Sequence, residues 1–446
     1  MESIWFAVLV STICLEGLGR KYVPEIPSVA FYLLKDAVLL FGWWRFRPPA
    51  AVTRAGRNLY RGFGIVMVVG LVWTVLELFN PQQESLPLGL LGLRAYWLWW
   101  LAPIVIAGTL QNPKQKRRAI YVLLVMAIGI CGLAILQFAA PPDSSLNLYS
   151  VVDGEEVYAT VAPVAATGRA RVSSTFSFLS GFQDFTILVP TLLLSIGLDA
   201  KEPRIRRTAL FATLLSAAVV PMSGSRAGVL LGAAVILITA WSAGLLFTRI
   251  GRRIVIGGVA ATALALFAFP EAFVGVQSRF ANVEETNTRY QGVATILPPV
   301  AIAVTEFPAT GLGTGMQQNA RGTFRVYPQY EEEMEPARYL VELGPIGYLA
   351  VWSAKLGLIV ALLRAYAILK RAGRRGAAAA ALSYALLTMN GNLTFDHIWQ
   401  ALYFMGCGFI LSEVVAVQRA NVTVPLVARP RDPIGEPAPV LDGARS

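Results

Sequence analysis

The chain has 446 residues, of which 55% are hydrophobic and 15% charged, and 38 Lys and Arg stand against 27 Asp and Glu for a formal net charge of +11. Soluble domains carry about 25% charged residues, so this balance, with a mean hydropathy of +0.57, excludes one. The positive charge does not point to nucleic acid, because the basic residues sit in short loops between apolar runs, where they report topology.

Read from the amino terminus, the apolar runs are each long enough to cross about 30 Å of hydrocarbon, and in lipid a helix is the structure that satisfies its own backbone. The predicted fold is therefore an all-α integral membrane protein of about twelve transmembrane helices. The spans are expected near residues 4–18, 28–44, 58–79, 92–110, 118–138, 176–198, 207–222, 226–247, 253–270, 339–363, 377–391 and 397–417. The first run lacks a basic leader and a small-residue cleavage site, and is expected to remain as the first helix.

Loop charge then orients the chain. Basic groups follow every second span: Arg45, Arg47, Arg54 and Arg57; Lys114, Lys116, Arg117 and Arg118; Lys201, Arg204, Arg206 and Arg207; Arg249, Arg252 and Arg253; Lys370, Arg371, Arg374 and Arg375; and Arg419 with Arg429. By the positive-inside rule both termini are expected in the cytoplasm, with Arg20-Lys21 the exception on the outer side. Two outer loops, about 139–175 and 271–338, are long and rich in Asp, Glu, Pro, Gly and aromatic residues, and are expected to form a partly ordered cap over a cavity. The remainder, 1–422, forms the membrane domain, and the Pro- and Arg-rich tail 423–446 is expected to be a disordered cytoplasmic segment.

Polar groups with chemical potential gather on the outer side. Arg171-Val172-Ser173-Ser174-Thr175-Phe176 precedes the sixth span, and Ser223-Gly224-Ser225-Arg226-Ala227-Gly228 joins the seventh to the eighth. An arginine beside hydroxyls and glycines where a helix emerges suits an anion such as phosphate; it equally describes an arginine snorkelling to the interface. Arg289 could bind a ligand or pair with Glu285 four residues back. Gly311-Leu312-Gly313-Thr314-Gly315 follows no strand of a βαβ unit, so it reads as a tight turn rather than a dinucleotide fingerprint. In the acidic run that ends at Glu335, the residues Glu335, Arg338 and Glu342 share one face of the helix opening the tenth span, where a carboxylate near hydrocarbon could act as general base. Glu331 to Glu333 read as a solvated face.

Other polar residues are weaker candidates. Asp184 lies inside the sixth span, where a functional role and a hydrogen-bonded packing role are both open. Lys35 and Asp36 in the second span are adjacent and read as structural, and His397 reads as a helix-end or packing residue. Cys14, Cys131 and Cys407 fall in apolar runs without paired spacing, and with a single histidine neither a disulfide framework nor a zinc set is implied.

The order of these motifs resembles the O-antigen ligase/polymerase superfamily of bacterial envelope glycosyltransferases, from Arg171 to about Phe409, with a GT-C-like helical membrane fold. The carriers are Arg-x-Ser-x-Thr-Phe at Arg171, Ser-x-Ser-Arg-x-Gly at Ser223, Arg289 before Phe-Pro-x-x-Gly-x-Gly-x-Gly, and Glu-Leu-Gly-x-x-Gly at Glu342. The resemblance implies transfer of a glycan from undecaprenyl pyrophosphate at the outer face of the bacterial inner (plasma) membrane, without metal or other cofactor. It assigns the pyrophosphate to Arg226 and Arg289, to which Arg171 and Arg338 are natural additions, with Ser223, Ser225 and Glu342 in support. Ligases of the family carry His-Asn shortly before Glu-Leu-Gly. Here Glu-Met-Glu-Pro-Ala-Arg stands in that place, which favours a polymerase joining lipid-linked repeat units, with Glu335, and Glu333 second, as the base.

The implied partners are the lipid-linked oligosaccharide, the bilayer and chain-length-regulating or export proteins. The alternatives are a ligase acting on lipid A core or another acceptor and, in a different class, a lipid-linked oligosaccharide flippase. The latter would be expected to show internal repeats with broken helices at the midplane, and no repeat is visible.

Overall fold

The computed structural model describes residues 1–23, 25–152, 155–158, 168–245, 310–318, 335–390 and 392–423, together with a few residues scattered between 248 and 274 and between 321 and 326. The expected ninth span, most of the second long loop, Arg289, Glu333 and the tail lie outside the described residues.

Helices dominate. The first half holds α1 (Glu2–Cys14), α2 (Glu16–Tyr22), α3 (Ser28–Phe46), α4 (Ala50–Leu59), α5 (Gly64–Leu76), α6 (Leu86–Trp97), α7 (Ala102–Thr109) and α8 (Pro113–Ala139). The second half holds α9 (Leu179–Asp199), α10 (Pro203–Val219), α11 (Arg226–Ser242), α12 (Glu335–Arg371), α13 (Arg375–Asn390) and α14 (His397–Thr423). Local signals set their starts. Asn112 caps α8 by accepting from Lys114 N at 2.9 Å with Pro113 at the first position, and the Asp199 carboxylate caps α13 across the bundle by accepting from Gly376 N and Ala377 N, each at 2.9 Å.

The helical fold expected from the sequence is borne out, with one small addition: strands β1 (Leu148–Val152) and β2 (Glu155–Tyr158) form an antiparallel hairpin in the first of the two long loops. Against the expected count of about twelve spans, the described residues hold 6 helices long and apolar enough to cross a membrane, or up to 8 if each of two bent pairs counts as one span. The pairs are α1 with α2, bent by 55°, and α4 with the helix continuing to Phe79, bent by 92°. The second bend divides the expected third span and leaves α4, with Arg54 and Arg57, as a separate amphipathic piece whose Val52, Ala55 and Leu59 face the core. Hydropathy alone does not register such breaks, because both arms are apolar. The helix over 86–109 likewise passes through a 3₁₀ turn at Leu98–Leu101, and α11 and α13 are shorter than a full span.

α9 and α14 form the centre: their apolar windows are each 83% buried, against 39% for α8 on the periphery. α9 packs against α10, α11, α13 and α14, and α14 also packs against α7. The described basic loops converge on one end of this bundle. There Glu413 of α14 binds both Lys116 and Arg374, and Arg117 pairs with Glu202 at 2.9 Å. The opposite end carries the starts of α9, α11, α12 and α14, and the polar candidates lie there.

Candidate functional site

The Arg171 segment is fastened before it reaches α9. Gln137, the lone strongly polar residue late in α8, accepts from Ser174 N at 2.8 Å and donates to Leu146 O at 2.8 Å. Ser174 Oγ donates to Ile130 O at 2.7 Å, and its φ of 50° is unusual for a side-chain-bearing residue. Two residues earlier, Val172 N donates to Met222 O at 3.2 Å, which brings the segment alongside the turn between α10 and α11.

At that turn Arg171 Nε donates to Ser223 O at 3.0 Å. Gly224 follows with φ +62°, and a Cβ there would lie 3.1 Å from Arg171 Nε, so the glycine serves both the left-handed turn and the approach of the guanidinium. Ser225 caps α11, its Oγ accepting from Gly228 N at 3.2 Å, and Arg226 is the first residue of the helix. Arg171 and Arg226 therefore flank a single turn whose hydroxyls are buried.

The acidic candidates form a second cluster. Glu335 is 8% exposed and Lys355 3%; Lys355 Nζ donates to Glu335 Oε2 at 2.6 Å, and Thr394 N donates to Glu335 Oε1 at 2.9 Å. Glu342 is fully buried, its two oxygens accepting from Tyr96 OH at 2.9 Å and Gln317 N at 2.6 Å. Arg338 lies over the Phe395 ring at 4.9 Å. The Gly-Leu-Gly-Thr-Gly loop is a clasp on this helix, not an anion cradle. Leu312 N donates to Val341 O at 2.7 Å and Gly313 N to Glu342 O at 3.0 Å, next to Gly344, whose φ of 63° and ψ of −175° break α12.

The turn before α14 joins the clusters. Thr394 binds Glu335 through its N–H, and Thr394 Oγ1 meets Tyr339 OH at 2.9 Å. Asp396 caps α14 by accepting from Ile398 N at 3.0 Å and Trp399 N at 3.1 Å, and interacts with Asp184 of α9. Gln183, beside Asp184, packs on Gly228 in the first turn of α11. A continuous path of contacts thus runs from Glu335 to the Arg226 turn.

Beyond His397 lies a network that joins residues the sequence marked as structural, Lys35, Asp36 and His397, to partners it did not reveal. His397 Nε2 meets Glu16 Oε1 at 3.1 Å, and Glu16 also binds Lys35. Asp36 takes Arg94 Nε at 2.5 Å and Trp99 Nε1 at 2.9 Å, while Arg94 also stacks on Tyr32 with its Cζ 4.3 Å from the ring. The available signal was the set of charges inside apolar runs, since such residues are costly in a membrane unless paired; their partners, up to 381 positions apart, are not visible in the sequence. Lys355, the partner of Glu335, carried the same signal. Among the described residues, no three His, Cys, Asp or Glu side chains come together as a metal site.

Fold and site together define a helical membrane-embedded protein with a polar, arginine-bearing end. Neither a family model nor a curated protein matches the chain.

Proposed function

We propose that this protein is a metal-independent membrane glycosyltransferase, a polysaccharide polymerase that moves a glycan from undecaprenyl pyrophosphate onto a second lipid-linked repeat unit. The observation that carries the proposal is the convergence of Arg171 and Arg226 on the Ser223–Ser225 turn. Leaving of a diphosphate builds negative charge, and fixed guanidinium groups stabilise it where it develops. The gathering of Lys116, Arg117 and Arg374 at one end supports, by the positive-inside rule, a cytoplasmic assignment for that end and an outer-face assignment for the arginine turn.

In this mechanism the acceptor hydroxyl attacks the anomeric carbon, the bond from that carbon to the diphosphate oxygen breaks, and the electron pair leaves with the diphosphate. The hydroxyl proton passes to a carboxylate. Glu335 serves: it accepts from Lys355 Nζ and Thr394 N, and each of its oxygens retains a second lone pair beyond those contacts. Arg338, one turn along the same helix, adds positive charge near Phe395.

The test is incubation of purified protein with lipid-linked repeat unit as sole glycan substrate. A ladder of products is expected. A requirement for a second, different glycolipid would make the protein a ligase.

A further inference from the structure

Arg20 and Lys21 break the charge pattern of the loops, and both act on the Arg171 segment. α2 lies so close to it that a Cβ on Gly17 would fall 2.1 Å from the Phe176 carbonyl carbon and the Ser177 nitrogen. One turn on, Arg20 NH1 donates to Ser177 Oγ at 3.1 Å and Lys21 Nζ to Ser173 Oγ at 2.7 Å.

Lys21 is only 2% exposed. The other fully buried lysines have carboxylate partners, Lys35 in Glu16 and Lys355 in Glu335. Lys21 has none among the described residues, and Ser173 Oγ takes one of its three N–H donors. A buried ammonium with no counter-charge is disfavoured, and an anionic partner would offset that cost. Two neighbouring features point the same way. Thr175 Oγ1 is buried without a hydrogen-bond partner, and Ser174 between them holds the strained positive φ that gathers at ligand-binding positions.

We propose that Lys21, with the hydroxyls of Ser173 and Thr175, forms a phosphoryl-anion site continuous with Arg171, two residues from Ser173; this site presupposes the diphosphate-binding role of Arg171 and Arg226 given above. A phosphoryl group offers several acceptor oxygens and the charge that Lys21 needs. Lys21 is then a binding residue for the carrier diphosphate, contributed by the amino-terminal part of the chain.

The test is direct binding to purified full-length protein in nanodiscs, with inorganic diphosphate and undecaprenyl diphosphate as separate probes, for wild type, Lys21→Met, Lys21→Arg and Arg226→Ala. Lys21→Met is expected to weaken binding about tenfold or more and Lys21→Arg to restore most of it, because one charge-assisted contact is lost and then regained. Without ligand, Lys21→Met should melt at or above the wild-type temperature, since a desolvated charge has been removed. Loss of both probes supports a site for the free anion, and loss of the lipid-linked probe alone supports a site that needs the carrier. Wild-type affinity in Lys21→Met with weakened binding in Arg226→Ala overturns the Lys21 site and leaves the arginine turn standing. Failure of the wild-type protein to bind either probe overturns both. A ligand-free melting point that falls in Lys21→Met and in Lys21→Arg alike, with binding intact in each, assigns Lys21 to packing and also overturns the proposal.

Discussion

At the scale of single residues, buried charges are the informative feature of this protein. Glu335 is the proposed base and also half of a buried ion pair, and these roles separate experimentally. Removing one partner of a buried pair leaves an uncompensated charge at a cost of about 3–5 kcal/mol, whereas replacing both is often neutral. Lys355→Met alone should lower the melting temperature markedly. Glu335→Gln with Lys355→Met should recover it while elongation stays absent, because the carboxylate is gone. If the double variant regains both stability and elongation, Glu335 is a packing residue and the base is elsewhere. The sequence pointed to Glu335 and Glu342 through their spacing on one helical face. It could not reveal that Tyr96, Gln317, Lys355 and Thr394 occupy their oxygens, because those contacts span 20 to 246 positions.

Among the elements, breaks matter as much as helices. Gly344 interrupts α12 with a φ and ψ open essentially to glycine, and the clasp beside it has Gly311 at φ +74° with a Cβ position 2.6 Å from Glu342 O. Gly344→Ala and Gly311→Ala should each cost on the order of 1–3 kcal/mol. Gly132 in α8 has nothing within 4 Å of its Cβ position, and Gly132→Ala should instead stabilise by about 0.5–1 kcal/mol through helix propensity. Thermal melting of the three variants checks the contrast, and equal effects would mean that the clasp does not constrain the helix. The glycine-rich run was legible as a turn. The helix breaks at residue 15, at 60–63 and at 98–101 were not, because apolar runs look alike whether straight or bent.

Across the whole molecule, alternating apolar and basic segments made the membrane-embedded helical character and the common end of Lys116, Arg117 and Arg374 readable from sequence. The long loop over 139–175 was legible as a loop, though not its β-hairpin, whose strands are short and lack a clean alternation. Least legible was the gathering of α2, the Arg171 segment, α11, α12 and the start of α14 at one end. Only the fold joins Lys21 to Ser173, Arg171 to Ser223 and His397 to Glu16.

Arg171 and Arg226 are the groups proposed to hold the leaving diphosphate, and the most direct measurement follows that product. Purified protein in liposomes, given lipid-linked repeat unit, should release one undecaprenyl diphosphate for each glycosidic bond formed. Arg171→Ala and Arg226→Ala should each lower the release rate by about a hundredfold or more, the scale of losing a preorganised charge contact in a transition state, with protein abundance and melting temperature near wild type. Release at the wild-type rate in both variants would contradict the account.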